Sequence, residues 1–278
     1  MAEQVIFSIS TELEMRGRQL KALTPNKDGV YTGIPLTVIG LNSRNNICYD
    51  RESVIRCLTD PNSRFVMNLK SGDLEGEWGH PLLSSKPEEC IARLLYLDRK
   101  NVSHHFTRIY SKEDKEKGYI IVYGDVKPSG PMGKYLKENF ADPTRNVSFS
   151  LRAATAITGK NGNVTNKRML AMFTFDAVDG PGYAEACKRF RDPSLESLIT
   201  VSKESTEVTV SKEAFLNATR SLEVAGVESK IVDQRVLDAF GCDEVVVKEK
   251  LLRRNRFGIF TDAKTHEKQS LFDMAFGL

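Results

Sequence analysis

Eight short runs of β-forming residues, separated by turn formers, fill the first two thirds of this 278-residue chain: VIFSIS, GIPLTVIG, RFVMNL, ARLLYLD, VSHHFTRIY, YIIVYGDV, NVSFSLRA and RMLAMFTFDAV. Runs of this length, punctuated by Gly, Pro, Asn and Ser, predict strands, so the expected architecture is mainly β with helices interspersed. Two stretches read as helices. One is DRESVIRCL from Asp50; the other is PMGKYLKENF, with Pro131 near its first turn and Met132, Tyr135, Leu136 and Phe140 on one face. Gly162-Asn163 is a hairpin signal joining the last two runs.

The seventh run, 146-NVSFSLRA-153, is the one that asks for chemistry. Alternation places Val147, Phe149, Leu151 and Ala153 on one face and Ser148, Ser150 and Arg152 on the other. A serine hydroxyl is a poor nucleophile until a base, usually a histidine held by a third group, removes its proton. His80 ends 76-GEWGH-80 and precedes Pro81, in a stretch whose Gly72, Gly76 and Gly79 let the backbone bend around a site. Asp176 lies in the following run. Most chains of this size contain a Ser, a His and an Asp, so the inventory alone is a weak argument.

Other chemistries find less support. A net charge of +3 is too small to predict nucleic-acid binding for the whole chain. His104 and His105 are adjacent and would face opposite ways in a strand, and no H-E-x-x-H or Cys/His cluster supports a metal, so neither metal nor cofactor is expected. The loop 128-PSGPMGK-134 lacks the spacing of a phosphate-binding loop, and there is no G-x-S-x-G elbow. The basic run KEKLLRRNR, 248–256, reads as a solvated helix face. Five scattered cysteines without a C-x-x-C pair read as free thiols. No apolar run is long enough to span a membrane, and the N-terminal patch is too short for a secretory signal, so a cytosolic setting is expected.

The succession GEWGHP, VSHH, YGDVKPSGPMGKYL, SFSLRA and TFDAVDGP resembles the tailed-phage prohead proteases of the myovirus type, including giant-phage members, over roughly residues 65 to 190. Those enzymes are related in fold to the herpesvirus assemblins. The resemblance implies an α+β fold built on a mainly antiparallel β-barrel surrounded by helices, and a serine endopeptidase acting inside the immature prohead in the bacterial host cytoplasm. Its substrates would be scaffold, internal and major capsid proteins and its own chain. By the same resemblance His80 is the base, Ser150 the nucleophile, with Ser148 its local competitor, and Asp176 the third member, with Asp179 as second choice. Arg152 or a nearby backbone N–H would stabilise the oxyanion. A homodimer is suggested by the assemblins, and Arg93, Arg108 and Arg145 are candidates for a pocket that takes a glutamate. A non-catalytic capsid or scaffold assembly protein that kept the fold is the alternative.

Cleavage after Glu in a small-residue-x-Glu context, also implied by the resemblance, draws attention to the tail. The chain has 21 Ser and 21 Glu, for which random placement predicts about 1.6 Ser-x-Glu triplets; seven occur, and five fall between 194 and 223. Residues 194–230 are rich in Ser, Thr, Glu and Lys and read as a linker with weak helices, where a protease reaches extended backbone. Self-cleavage is expected after Glu196, Glu204, Glu207, Glu213 or Glu223. The organisation expected is a protease domain over 1–193, this linker over 194–230, and a partly helical tail over 231–278.

Overall fold

The structure, a computed structural model, describes residues 4–13, 22–39, 46–81, 86–114, 119–178, 202–224 and 233–240. Its strands are β1 (Val5–Leu13), β2 (Tyr31–Ile39), β3 (Ile47–Tyr49), β4 (Glu75–Glu77), β5 (Val102–Asp114), β6 (Tyr119–Pro128), β7 (Ser148–Asn161), β8 (Val164–Val178) and β9 (Ser202–Val210). Its helices are α1 (Arg51–Thr59), α2 (Arg64–Ser71), α3 (Pro87–Leu95), α4 (Gly133–Ala141), α5 (Lys212–Val224) and α6 (Gln234–Ala239). The mixed α+β class and the two expected helices, now α1 and α4, are present. Asp50 caps α1 by accepting from the Ser53 N–H.

The strands form a five-stranded sheet in the order β3-β8-β7-β1-β9 and a four-stranded sheet in the order β2-β6-β5-β4. All neighbours are antiparallel except β3 and β8. The expected closed barrel is not formed by the described residues: the two sheets remain separate and approach each other where the three-residue β4 runs out. There Trp78 bridges to Ala177, and the Gly79 N–H donates to the Ala177 carbonyl at 2.8 Å. One bridge does not close a barrel.

Two runs read as strands are helical. RFVMNL lies in α2, where Ser63 accepts from the Val66 N–H and Gly72, at φ +82°, ends the helix. ARLLYLD begins in the last turn of α3, which has Pro87 in its first turn and buries Ile91, Leu94 and Leu95 at helical spacing. The expected linker also departs from expectation. Its residues 202–210 are β9, paired with β1 along its whole length, and 212–224 are α5, whose first turn is capped by Ser211 Oγ accepting from the Ala214 N–H.

Two apolar clusters explain the layering. Phe106, Val122, Phe149, Leu151 and Phe175 fill the space between the sheets. Phe7, Ile91, Leu94, Phe215 and Leu237 lie on the opposite face of the five-stranded sheet, under α3, α5 and α6. The alternation predicted for 146–153 is correct, since Phe149 and Leu151 join the first cluster while Ala154 and Ala156, in phase with Ser150, join the second. Both faces of β7 are therefore interior. Cys48, Cys57 and Cys90 are free thiols, and no described helix is long and apolar enough to cross a membrane.

Candidate active site

The site begins with a register. Across β7 and β8, Ser148 stands opposite Val178, Ser150 opposite Asp176 and Arg152 opposite Thr174. Directly opposed residues hold their Cβ atoms about 5 Å apart on one face, so this pairing sets Ser150 and Asp176 side by side on one face of the sheet. Ser150 is 2% exposed and Asp176 fully buried.

A buried carboxylate needs partners. Arg152 supplies most of them: Nη2 donates to both Asp176 oxygens at 2.8 Å and Nε to Oδ2 at 3.1 Å, while the Glu77 backbone N–H reaches Oδ1 at 3.2 Å. Burial pushes the Asp176 carboxyl up, but the Arg152 guanidinium, helped by His80, more than offsets this and holds it down at about 2. Asp176 is an anion throughout the neutral range.

His80 arrives from the other sheet. Trp78 and Gly79 run beside β8 through the bridge to Ala177, and Gly79, at φ +76°, turns the chain so that His80 faces the carboxylate. Its Nδ1 lies 3.7 Å from Asp176 Oδ2, its side chain 16% exposed. That is an ion-pair separation rather than a hydrogen bond. Neither ring nitrogen has a hydrogen-bond partner among the described residues, so both remain open to a proton-transfer partner.

Arg152 is held by acceptors on several sides. Besides Asp176, its Nη2 is 3.2 Å from Glu77 Oε1, and its Nη1 faces the Arg93 and Tyr96 carbonyls at 3.4 and 3.3 Å, at the C-terminal end of α3. All three nitrogens have acceptors, the buried carboxylates of Asp176 and Glu77 and two half-buried carbonyls, which makes Arg152 the clamp on Asp176. Arg93 is likewise engaged: Nη1 and Nη2 donate to the two Glu77 oxygens at 2.8 and 2.5 Å, and Nη1 also reaches the Tyr96 carbonyl at 2.9 Å. Glu77, fully interior, is completed by the Asp98 N–H at 2.9 Å. Sequence reasoning missed Glu77, although it lies three residues before His80 on the strand that leads to it.

The remaining candidates divide. Ser148 is buried one pleat from Ser150 and accepts from Asn146 Nδ2 at 3.3 Å. Arg108 lies over the Tyr110 ring on β5, with Asp125 opposite, away from this cluster. Arg145, in the loop leading to β7, has Asp142 at 3.5 Å and Asn139 Oδ1 at 3.3 Å. Glu204 and Glu207 stand in β9 opposite Thr11 and Ser8, Glu213 is exposed in the first turn of α5, and Glu223 is in its last turn. These four are in regular structure, not in extended linker. Glu196 and Asp179 lie outside the described residues.

His104 and His105 face opposite ways, as expected. His105 is half-buried with Ser129 Oγ 3.2 Å from Nδ1, whereas His104 is interior, with Nε2 3.1 Å from the Phe175 carbonyl and Nδ1 2.8 Å from Ser103 Oγ. The carbonyl can only accept, so Nε2 carries the proton and Nδ1 accepts from the serine. Burial drives His104 down to about 4, leaving it neutral. It pins β8 one residue before Asp176.

Residues 10–238 match the Peptidase S80 family. Over 184 residues the chain is 27% identical to a capsid maturation protease of Pseudomonas phage phiKZ, the match covering 63% of this chain and 66%, just under two thirds, of that protein. The solved structure of the bacteriophage T4 capsid assembly protease, gp21, is matched over 65% of this chain and 100% of its own, with a TM-score of 0.44 and 15% identity.

Proposed function

This chain belongs to the peptidase S80 family, and from that premise we propose that it is a serine endopeptidase of phage capsid maturation, with Ser150 as nucleophile, His80 as general base and Asp176 as the group that orients and charges the pair. The observation that carries the reading is the convergence of three separate elements on one carboxylate. Ser150 stands opposite Asp176 across β7 and β8, and His80 Nδ1, from the far sheet, lies 3.7 Å from it.

In this reading Ser150 Oγ attacks the scissile carbonyl while His80 accepts its proton, then returns it to the leaving amine; water repeats the sequence to release the acyl group. Asp176 stabilises the imidazolium that forms, and Arg152 holds Asp176 ionised and in place. Arg152 being committed to acceptors, a backbone N–H is the better candidate for the oxyanion. The substrates proposed are scaffold, internal and major capsid proteins inside the immature prohead, cut after Glu in Ser-x-Glu-like sites. Of the self-cleavage candidates, Glu204 and Glu207 require β9 to leave β1, and Glu213 and Glu223 require α5 to unwind. Glu196 lies outside the described residues.

The low exposure of Ser150 favours a second reading, in which the chain is a non-catalytic capsid or scaffold assembly protein with the same fold. Mass spectrometry of purified full-length chain during incubation, beside Ser150→Ala, separates the two. The proteolytic reading predicts shortening of the parent, with new ends after Glu, and an unchanged Ser150→Ala chain. Equal persistence of both supports the assembly reading.

A further inference from the structure

Four charged side chains form one continuous buried chain behind His80: Arg93 to Glu77, Glu77 to Arg152, Arg152 to Asp176. Three of them are essentially inaccessible to solvent, and Arg93 is the outermost. We propose that Glu77 and Arg93 are positioning residues that, acting through Arg152 and Asp176, set the pH at which His80 accepts the serine proton. The inference rests on the reading of Ser150, His80 and Asp176 as the triad.

Geometry gives each member a distinct part. Asp176 reaches His80 directly, but its oxygens are shared with Arg152, whose Nη2 in turn lies 3.2 Å from Glu77 Oε1. Glu77 cannot move toward Arg152 without loosening its two bonds to Arg93 or its bond from the Asp98 N–H. The position of the guanidinium against Asp176 is therefore set from behind, by the Glu77–Arg93 pair.

Charge acts alongside position. Two cations and two carboxylates balance within the cluster, so removing either outer member leaves an uncompensated charge in a buried region, where charges act over distance with little screening. Other titratable groups near it are few. His104, from β5, faces Asp176 and is neutral, and Asp98, after α3, faces Arg93. Further out, Glu75 pairs with Arg99, and His105 lies near Lys127 and Glu75. None of these pairs with Glu77 or Arg152 through its side chain among the described residues.

The two outer residues should then have opposite effects. Glu77→Gln leaves a net positive cluster that opposes protonation of His80; Arg93→Gln leaves a net negative cluster that favours it. The test is the rate at which a fluorophosphonate labels Ser150 in the full chain, measured from pH 5 to 9 for the parent, Glu77→Gln, Arg93→Gln and the double variant. The acid limb of the profile is expected to move down by about half to one and a half pH units in Glu77→Gln and up by a similar amount in Arg93→Gln. In the double variant it returns near the parent. Should Glu77→Gln alone not fold, Arg93→Gln against the double variant reads the same cancellation. Limbs that coincide with the parent while rates merely fall, or that move the same way in both single variants, overturn the inference alone. A parent that does not label overturns the functional reading and this inference with it.

Discussion

At the scale of single residues, two buried groups govern how the molecule responds to pH: Asp176, an anion, and His104, a neutral imidazole bonded one residue before it on β8. Asp176→Asn removes the anion that Arg152 was built around and leaves that guanidinium buried with only Glu77 and two carbonyls. Turnover is expected to drop by about 10,000-fold, and stability by about 3 kcal/mol, the first read from cleavage or labelling rate and the second from urea unfolding. His104 makes the fold sensitive to mild acid. Its folded-state value of about 4 lies below its ordinary 6.5, so the unfolded chain binds the proton first, and stability falls as pH drops from about 6.5 to about 4, by on the order of 3 kcal/mol. Asp176 behaves in the usual carboxylate manner, contributing stability above its ordinary 3.8 that is lost as pH falls toward 2, so the two windows hardly overlap. Urea midpoints between pH 4 and 7.5 should therefore fall in the parent and stay nearly level in His104→Gln. The nearness of Asp176 to Ser150 and to His80 is what the motifs and their order lead one to expect, while the roles given to the three rest on the resemblance to a family. Glu77 was not foreseen, because an acid in a Gly-rich stretch looks like a surface residue, and Arg93, singled out only as a pocket candidate in an expected strand, stands in the structure on α3 as the partner of Glu77.

At the scale of elements, the site depends on how closely β4 can approach β8. Gly76 allows it: a Cβ there would sit 2.2 Å from the Phe175 carbonyl oxygen and 2.4 Å from His104 Nε2. Neither atom can give way without moving β8 or breaking the His104 bond. Gly76→Ala is expected to cost about 2 kcal/mol or more and to reduce activity. Gly159→Ala, where nothing lies within 4 Å, should change thermal stability little. The same scale explains where strand reading failed. The residues of α2 and α3 are apolar enough to pass for short buried strands, and only the Ser63 cap, Pro87 in the first turn of α3 and the i, i+3, i+4 spacing distinguish them. β9 was hidden for another reason. SKESTEVTV has the composition of a linker, and its strand conformation is imposed by the β1 ladder beside it rather than by its own propensity.

At the scale of the whole molecule, β9 and α5 are part of the fold that carries the site, not an appendage to it. Phe215 and Ala218 of α5 complete the cluster that covers the same face of β7 on which Ser150 and Arg152 lie. A chain ending at 201 is expected to lose cooperative unfolding and to bind hydrophobic dyes, measured by calorimetry and fluorescence against the full chain. The proposed pairing of Ser150 with His80 at the Asp176 carboxylate is read out by the site of covalent modification. After treatment of the full chain with a fluorophosphonate and peptide mapping, a single adduct is expected on Ser150, with formation slowed by about 100- to 10,000-fold in His80→Ala. An adduct on Ser148 or another serine, or labelling of Ser150 that is indifferent to His80, would contradict it.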